Sequence, residues 1–175
     1  MSACPTLETE NLTLRPFKDE DTYDFFLMMD SREVREALHV PDDEGLPEAF
    51  HAMAAWLGQW ELRGTGHWAL EEKSSGQFVG RAGLHLPERH DWPGVEVGWA
   101  LHPDYWGRGY ATEAGEAAVR YGFDELEVDK LFSCILPENH RSQAVAKRLG
   151  FELLEERVLA FFPKLPHGIW VLNRN

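Results

Sequence analysis

The 175-residue sequence predicts an α+β fold, with helices laid on a mostly antiparallel sheet. Two observations carry this. Segments with period-two alternation and segments with apolar spacing of three and four follow one another in the order β-α-α-β-β-β-α-β-α-β-β. Strand-like runs on either side of Ser74-Ser75-Gly76 form a hairpin signal. At this length a single domain over residues 1–175 is the default, able to bury about two-thirds of its unfolded surface. Repeats, low-complexity runs and linkers are absent.

Asn11 to Phe17 alternates apolar and polar and predicts the first strand, ending at Pro16. Asp19-Glu20-Asp21 places acidic residues where a helix N-terminus favours them. Tyr23, Phe26, Leu27 and Val34 then fit one helix or two short ones. A loop from His39 to Leu46 leads to Pro47, which opens a helix with Phe50, Met53, Ala54, Leu57 and Trp60 as its apolar stripe. His67–Glu71 and Phe78–Leu86 form the predicted hairpin.

In the next strand, from Val95 to Leu101, the residues Val95, Val97, Trp99 and Leu101 share one face. The other face carries Glu96, Gly98 and Ala100, nearly bare except for one carboxylate. Thr112 to Glu125 is the clearest helix, with Ala114, Ala117, Ala118, Tyr121 and Leu126 inward. Lys130–Leu136 is a buried strand, Asn139 caps the following helix, and Gly150 closes it. A long strand from Phe151 to Phe162, a turn at Pro163–Gly168 and a strand from Ile169 to Leu172 complete the sheet.

Apolar residues make up 43% and charged residues 27%, as in a globular protein. No apolar run reaches the roughly 20 residues of a membrane span. The first residues lack a basic start followed by an apolar stretch, so a cytoplasmic location is expected. Cys4 and Cys134 suggest neither a disulfide framework nor a zinc site, and Cys134 reads as a small buried hydrophobe. His85, His90 and Asp91 lack convincing metal spacing, so no metal is expected. The formal net charge of -13 argues against nucleic acid and anionic membranes as partners and favours a cationic acceptor. It also means that a phosphate-bearing ligand needs local positive charge.

The segment Trp106-Gly107-Arg108-Gly109-Tyr110-Ala111 lies between a strand and a helix. Glycines there allow a tight turn and close approach of a ligand, and the free amides of a helix start bind phosphate oxygens. Arg108 can add a charge-assisted contact. The P-loop pattern fails because no Lys follows Gly109, and the dinucleotide pattern fails because Thr112 stands where its third glycine belongs. Spacing alone leaves a plain structural turn open.

The stretch EVGWALHPDYWGRGYATEA, followed by NHRSQAVAKRLGFE at 139 to 152, resembles the GNAT superfamily of acetyltransferases. It looks most like the branch of ribosomal-protein-alanine N-acetyltransferases (RimJ/RimL-like). The superfamily pattern Gln/Arg-x-x-Gly-x-Gly/Ala matches at Gly109 and Ala111, with Trp106 in the first place. A later pattern matches at Asn139, Ser142, Leu149, Gly150 and Phe151. The resemblance implies a sheet with helices on both faces and a splayed central strand pair. It implies acetyl-CoA as donor, with pyrophosphate on the amides of Gly107, Arg108, Gly109, Tyr110, Ala111 and Thr112. The pantetheine arm would lie along Trp99, Ala100 and Leu101, with a hydrogen bond from Asn139, and Lys147 or Arg148 would meet the adenosine phosphates.

The implied reaction moves an acetyl group from a thioester to a primary amine. A base must remove a proton from that amine, and Glu96 is the candidate, as base or as substrate anchor. Ser142 would protonate or hydrogen-bond the departing thiolate. His102 and His140 are second-choice bases. The acceptor side is expected between the early helices and the last hairpin, with Phe161, Phe162, Pro163, Leu165 and Pro166 as an apolar lip. A protein N-terminus and a small amine both fit, and a second copy of the chain is kept open as a partner. Two other classes compete: an acyl-CoA-binding module without transferase activity, and a nucleotide-binding protein.

Overall fold

The computed structural model describes residues 4–174; Met1 to Ala3 and Asn175, the ends of the expected domain, lie outside the described residues. Strands β1 (Leu7–Glu8) and β2 (Leu12–Arg15) precede helices α1 (Asp21–Asp30), α2 (Arg32–Leu38) and α3 (Leu46–Arg63). Strands β3 (Gly66–Glu72), β4 (Phe78–His85) and β5 (Glu96–Leu101) follow. A short 3-10 turn at Pro103–Tyr105 leads into α4 (Tyr110–Asp124), β6 (Lys130–Ile135), α5 (His140–Arg148), β7 (Glu152–Val158) and β8 (Pro166–Asn173). The strands form one sheet in the order β1-β2-β3-β4-β5-β6-β8-β7.

Each neighbouring pair is antiparallel except β5–β6, which is parallel and meets at a single register pair, Glu96↔Phe132. The Phe132 N–H donates to Val95 O (2.9 Å). Beyond that contact the two strands part, while β6 pairs with β8 along its whole length. The fold is the expected α+β arrangement with a splayed central pair.

Alternation along the strands sorts the core into two clusters. Trp68, Leu70, Ala82, Leu84, Val97, Trp99 and Leu101 pack with Ala114, Ala117 and Ala118 of α4 and Val145 and Ala146 of α5. Ala69 and Ala100 point the other way, into a cluster with Phe25 and Met28 of α1, Val34 of α2 and Met53 and Trp56 of α3. Small residues on α4 let it lie close to the sheet; a Cβ on Gly115 would meet Leu149 Cδ1 at 2.6 Å. Each fully buried large side chain contributes roughly 1.5–3 kcal/mol.

Local chemistry explains the helix bounds. Ser31, extended at φ -61 and ψ 137, separates α1 from α2. Asp21, buried at the start of α1, takes both Arg15 guanidinium nitrogens at 2.8 Å and the Lys18 N–H at 2.7 Å. Glu48 accepts the Gly45 N–H (2.8 Å) at the start of α3. Asn139 Oδ1 accepts the Ser142 N–H (3.1 Å), the expected cap of α5. Gly150, at φ 88, follows its end.

Three expectations are corrected. The stripe of α3 is Ala49, Met53, Trp56 and Trp60, whereas Phe50 is 48% exposed. Two apolar stripes overlap in that segment, and β3 selects the one bearing both tryptophans. The strand Phe151–Phe162 shortens to β7, because the chain leaves the sheet after Val158, and β8 gains the residues from Pro166. The strand β1 went unforeseen, since two residues carry no periodicity. Among the described residues no helix is long and apolar enough to cross a membrane.

Candidate active site

Trp106 leaves the 3-10 turn extended, its indole N–H donating to Leu101 O (2.9 Å). Gly107 (φ 78) and Gly109 (φ 84) follow, both in the left-handed region that an L side chain rarely adopts. A Cβ at either position would meet nothing within 4 Å. These glycines therefore make the turn possible and keep the space above it open. Gly109 caps α4 without a side-chain acceptor, so the first-turn amides of Tyr110, Ala111 and Thr112 have no capping partner.

That turn forms one wall of a cleft of about 1560 Å³. Trp99, Ala100 and Leu101 of β5, Val34 and Ala37 of α2, and Asn139, Ser142 and Val145 around α5 form other walls. Arg120, Arg141 and Arg148 reach it. Arg141 lies 4.4 Å from the Trp106 ring, and Arg148 Nε donates to Thr112 Oγ1 (3.2 Å). Uncapped helix amides, an open glycine turn and three guanidiniums suit a ligand rich in phosphate. The parted ends of β5 and β6 give an extended arm a path between strands.

Two of the expected basic side chains have partners within the protein. Arg108 turns away from the cleft: it donates to Glu72 Oε1 (3.1 Å) and Asp104 O (3.2 Å) and lies over the Tyr105 ring. Tyr110 donates its hydroxyl to the same Glu72 oxygen (2.7 Å), so these side chains fasten the turn to β3. Lys147 projects toward the Trp170 ring, 5.9 Å away, outside the cleft lining. Near the end of α5 it is Arg148, one residue on, that faces the cleft, as Arg141 does near its start. Asn139 lines the cleft but spends its amide within the protein, Oδ1 on Ser142 N–H and Nδ2 on Ala37 O (3.0 Å). His102 accepts the Asp104 N–H, and His140 is exposed; neither lines the cleft.

Glu96 sits where β5 and β6 part. Its Oε1 accepts the Cys134 N–H (3.3 Å), a donor that a continued parallel ladder would have given to β5 backbone. Burial pushes its carboxyl up to about 7, opposed by the Cys134 N–H, Arg81, Arg89 and the Trp92 indole. Burial likewise drives the Cys134 thiol upward, with the Glu96 charge adding to it, so this sulfur stays protonated. Trp99, the first residue of β5 lining the cleft, is three residues on, about 10 Å at ~3.3 Å per residue.

The face of β5 beside Glu96 is less bare than its residues suggest. The His67 ring approaches Gly98, where a Cβ would meet Cε1 at 3.1 Å, and Arg81 lies near by. Arg81 Nη1 is 3.1 Å from His67 Nδ1 and its guanidinium stacks over Trp56. His85 stands opposite Glu96 in the β4–β5 register. Burial lowers His85 to about 4 and His67 well below the usual imidazole range, so both rings are neutral at pH 7. This cluster was missed because its members come from three strands and a loop. The alternation of Arg81, Gly83 and His85 was the one signal available, a polar stripe on one face of β4.

Comparison with known proteins gives this geometry its family. Residues 11–152 match the acetyltransferase (GNAT) domain. YkkB of Bacillus subtilis, an uncharacterized protein, is 30% identical over 156 residues, covering 86% of this chain and 87% of its own. The crystal structure of an acetyltransferase from Agrobacterium tumefaciens superposes with a TM-score of 0.83 and 31% identity, covering 97% of this chain and 95% of that one. The ribosomal L7/L12 α-N-protein acetyltransferase RimL, solved with coenzyme A, superposes with a TM-score of 0.79 at 14% identity over 97% of this chain and 98% of that one, a likeness of fold. The chain belongs to the GNAT acetyltransferase family. It is an N-acetyltransferase that uses acetyl-CoA as donor.

Proposed function

We propose that the protein transfers the acetyl group of acetyl-CoA to a primary amine that approaches Glu96. The observation that carries this reading is the parted β5–β6 pair. Its mouth opens onto the glycine turn, and its apex holds a carboxylate raised to about 7. The amides of Gly107, Gly109, Tyr110, Ala111 and Thr112 hold the donor's pyrophosphate. Arg120, Arg141 and Arg148 neutralise its phosphates, and Trp99, Ala100 and Leu101 flank its thioester arm. Asn139 contributes by fixing α5 against α2.

The donor supplies an activated acyl carbon; the protein manages the protons. An ammonium is no nucleophile, and a carboxylate titrating near 7 is matched to remove its proton, directly or through one water. Ser142, at the start of α5 on the cleft wall, offers a hydroxyl to the departing sulfur. Its ordinary acidity is too weak for full proton donation, so a hydrogen bond is the role assigned to it.

Purified protein with acetyl-CoA and a panel of amines, followed by release of free thiol, tests the reading. Turnover with at least one amine is expected. An acyl-CoA-binding module would bind acetyl-CoA tightly and turn over none, and a nucleotide-binding protein would hold ATP in a form that acetyl-CoA does not displace.

A further inference from the structure

The arginines sort by partner. Arg15, Arg32, Arg35, Arg63, Arg108 and Arg157 each pair with a carboxylate. Arg120, Arg141 and Arg148 line the donor cleft, and Arg174 lies exposed near the chain end. Arg81 and Arg89 remain, both N-terminal to Glu96, one on β4 and one in the loop before β5. Among the described residues neither makes an ion pair, although the chain carries 30 acidic residues against 17 basic ones.

Both guanidiniums are partly withdrawn from water, and burial lowers the pKa of each, Arg81 to about 10. Arg81 is held from two sides, by the His67 ring nitrogen and the Trp56 face, and its Nε is buried with no acceptor. Arg89 lies 5.0 Å from the Trp92 ring centre and 3.5 Å from that of Phe161, with no hydrogen-bond acceptor on its guanidinium among the described residues. Trp92 Nε1 is a second buried donor without a completed hydrogen bond, although its indole acts on Glu96. Of the three side-chain polar atoms left so, two belong to this cluster. Both histidines are neutral, Glu96 is the carboxylate that acts on both guanidiniums, and Asp91, which accepts the Ala160 N–H, also acts on Arg89. The surroundings of Glu96 thus hold two guanidiniums without an ion-pair contact, and unfilled donors, in a chain rich in carboxylates. Leaving buried donors empty is costly unless a ligand fills them.

We propose that the acceptor is a free α-amino acid, its amine meeting Glu96 and its carboxylate meeting Arg81 and Arg89, with the Trp92 N–H as a further donor. This rests on the reading of Glu96 as the group that receives the amine. The ammonium loses one proton to Glu96, its nitrogen bonds to the acetyl carbon, the carbon–sulfur bond breaks, the second proton of the nitrogen passes to the departing sulfur to give the thiol, and Glu96 returns its proton to solvent. A polyamine would bring extra positive charge beside two guanidiniums that lack an ion-pair contact. A peptide N-terminus has its first carboxyl locked in an amide and leaves the arginines unpaired. A free α-amino acid departs from the cationic acceptor that net charge favours.

The test compares phenylalanine, phenylalaninamide, phenethylamine and spermidine as acceptors. Phenylalanine is expected to exceed the other three by about tenfold or more in kcat/KM, the scale of a charge-assisted pair. Arg81→Met should shrink that ratio toward unity, Arg81→Lys should restore part of it, and the KM for acetyl-CoA should not move. A purely structural arginine would depress every acceptor alike. A preference for phenylalaninamide, phenethylamine or spermidine overturns the proposal, as does a ratio that neither Arg81→Met nor Arg89→Met alters. Calorimetric titration of phenylalanine into protein saturated with coenzyme A separates the two layers. Binding lost in Arg81→Met, without turnover, upholds the carboxylate site and removes the transfer reading. Turnover without carboxylate preference does the reverse, and neither binding nor turnover overturns both.

Discussion

The two ends of β5 teach different lessons. At its C-terminal end, Trp99 to Leu101 run into a glycine turn and a helix start within about a dozen residues of sequence. The chemistry there is backbone chemistry: amides, a helix dipole, and space kept open by missing side chains. At its N-terminal end, Glu96 is surrounded by Arg81 and His85 from β4, His67 from β3, and Arg89 and Trp92 from the loop before β5. That chemistry belongs to side chains brought together by sheet register. On the proposed reading the first region holds the donor and the second meets the acceptor.

The sharpest way to break this division is Glu96→Gln. If Glu96 serves the acceptor alone, kcat/KM for the amine falls by about 10²–10⁴-fold, while binding of acetyl-CoA measured by calorimetry stays within a factor of two or so. The pH profile gives a second check. Glu96 must be charged to accept a proton and titrates at about 7, so kcat/KM should rise with pH below that value and level off above it. The same group costs stability in the opposite sense. Its folded value is raised, so its stabilising effect is full below the ordinary carboxylate range and is lost as pH rises through about 7. Glu96→Gln should therefore flatten the decline of Tm between pH 5 and 8. A variant that loses donor binding as well, or keeps the acidic limb, would merge the two regions.

Gly109→Val probes the other end with a smaller effect. At φ 84 a β-branched residue strains the turn, by about 1–2 kcal/mol, and its side chain would enter the open space above the amides. The KM for acetyl-CoA should rise by about tenfold, with a modest change in kcat at saturating donor. A kcat that collapses with KM unchanged would show that the turn acts on chemistry rather than on holding the donor.

The same contrast explains what could be read in the sequence. The splayed sheet, the cap at Asn139 and the glycine turn are local or family patterns, and their residues fall where expected. Arg108 and Lys147 show the limit. Both are basic and both lie in the expected segments, yet Glu72, 36 residues earlier at the end of β3, pairs with the first, and helix phase turns the second toward Trp170. No neighbour in sequence announces Glu72 as a partner. The cluster around Glu96 is harder still, because pairing of β3, β4 and β5 alone decides which of eight histidines stand beside it.

The phase of α5 supplies the smallest and most specific effect. Arg148 lines the donor cleft against Thr112, while Lys147 does not. Both are exposed cations, adjacent in sequence, and net charge alone would make them equivalent toward a phosphate. Contact geometry makes them differ. Arg148→Ala should weaken acetyl-CoA binding by about three- to tenfold at low salt, and the loss should shrink as ionic strength rises. Lys147→Ala should leave that affinity within about twofold, since its ammonium gives the donor only a screened, distant charge. The pair is best measured by calorimetry across a salt series, where long-range attraction fades for both variants and direct contact persists for one. Equal losses from the two variants would mean that the cleft gathers its donor by overall charge, and that helix phase, although it sets which side chain faces the cleft, does not set which one matters.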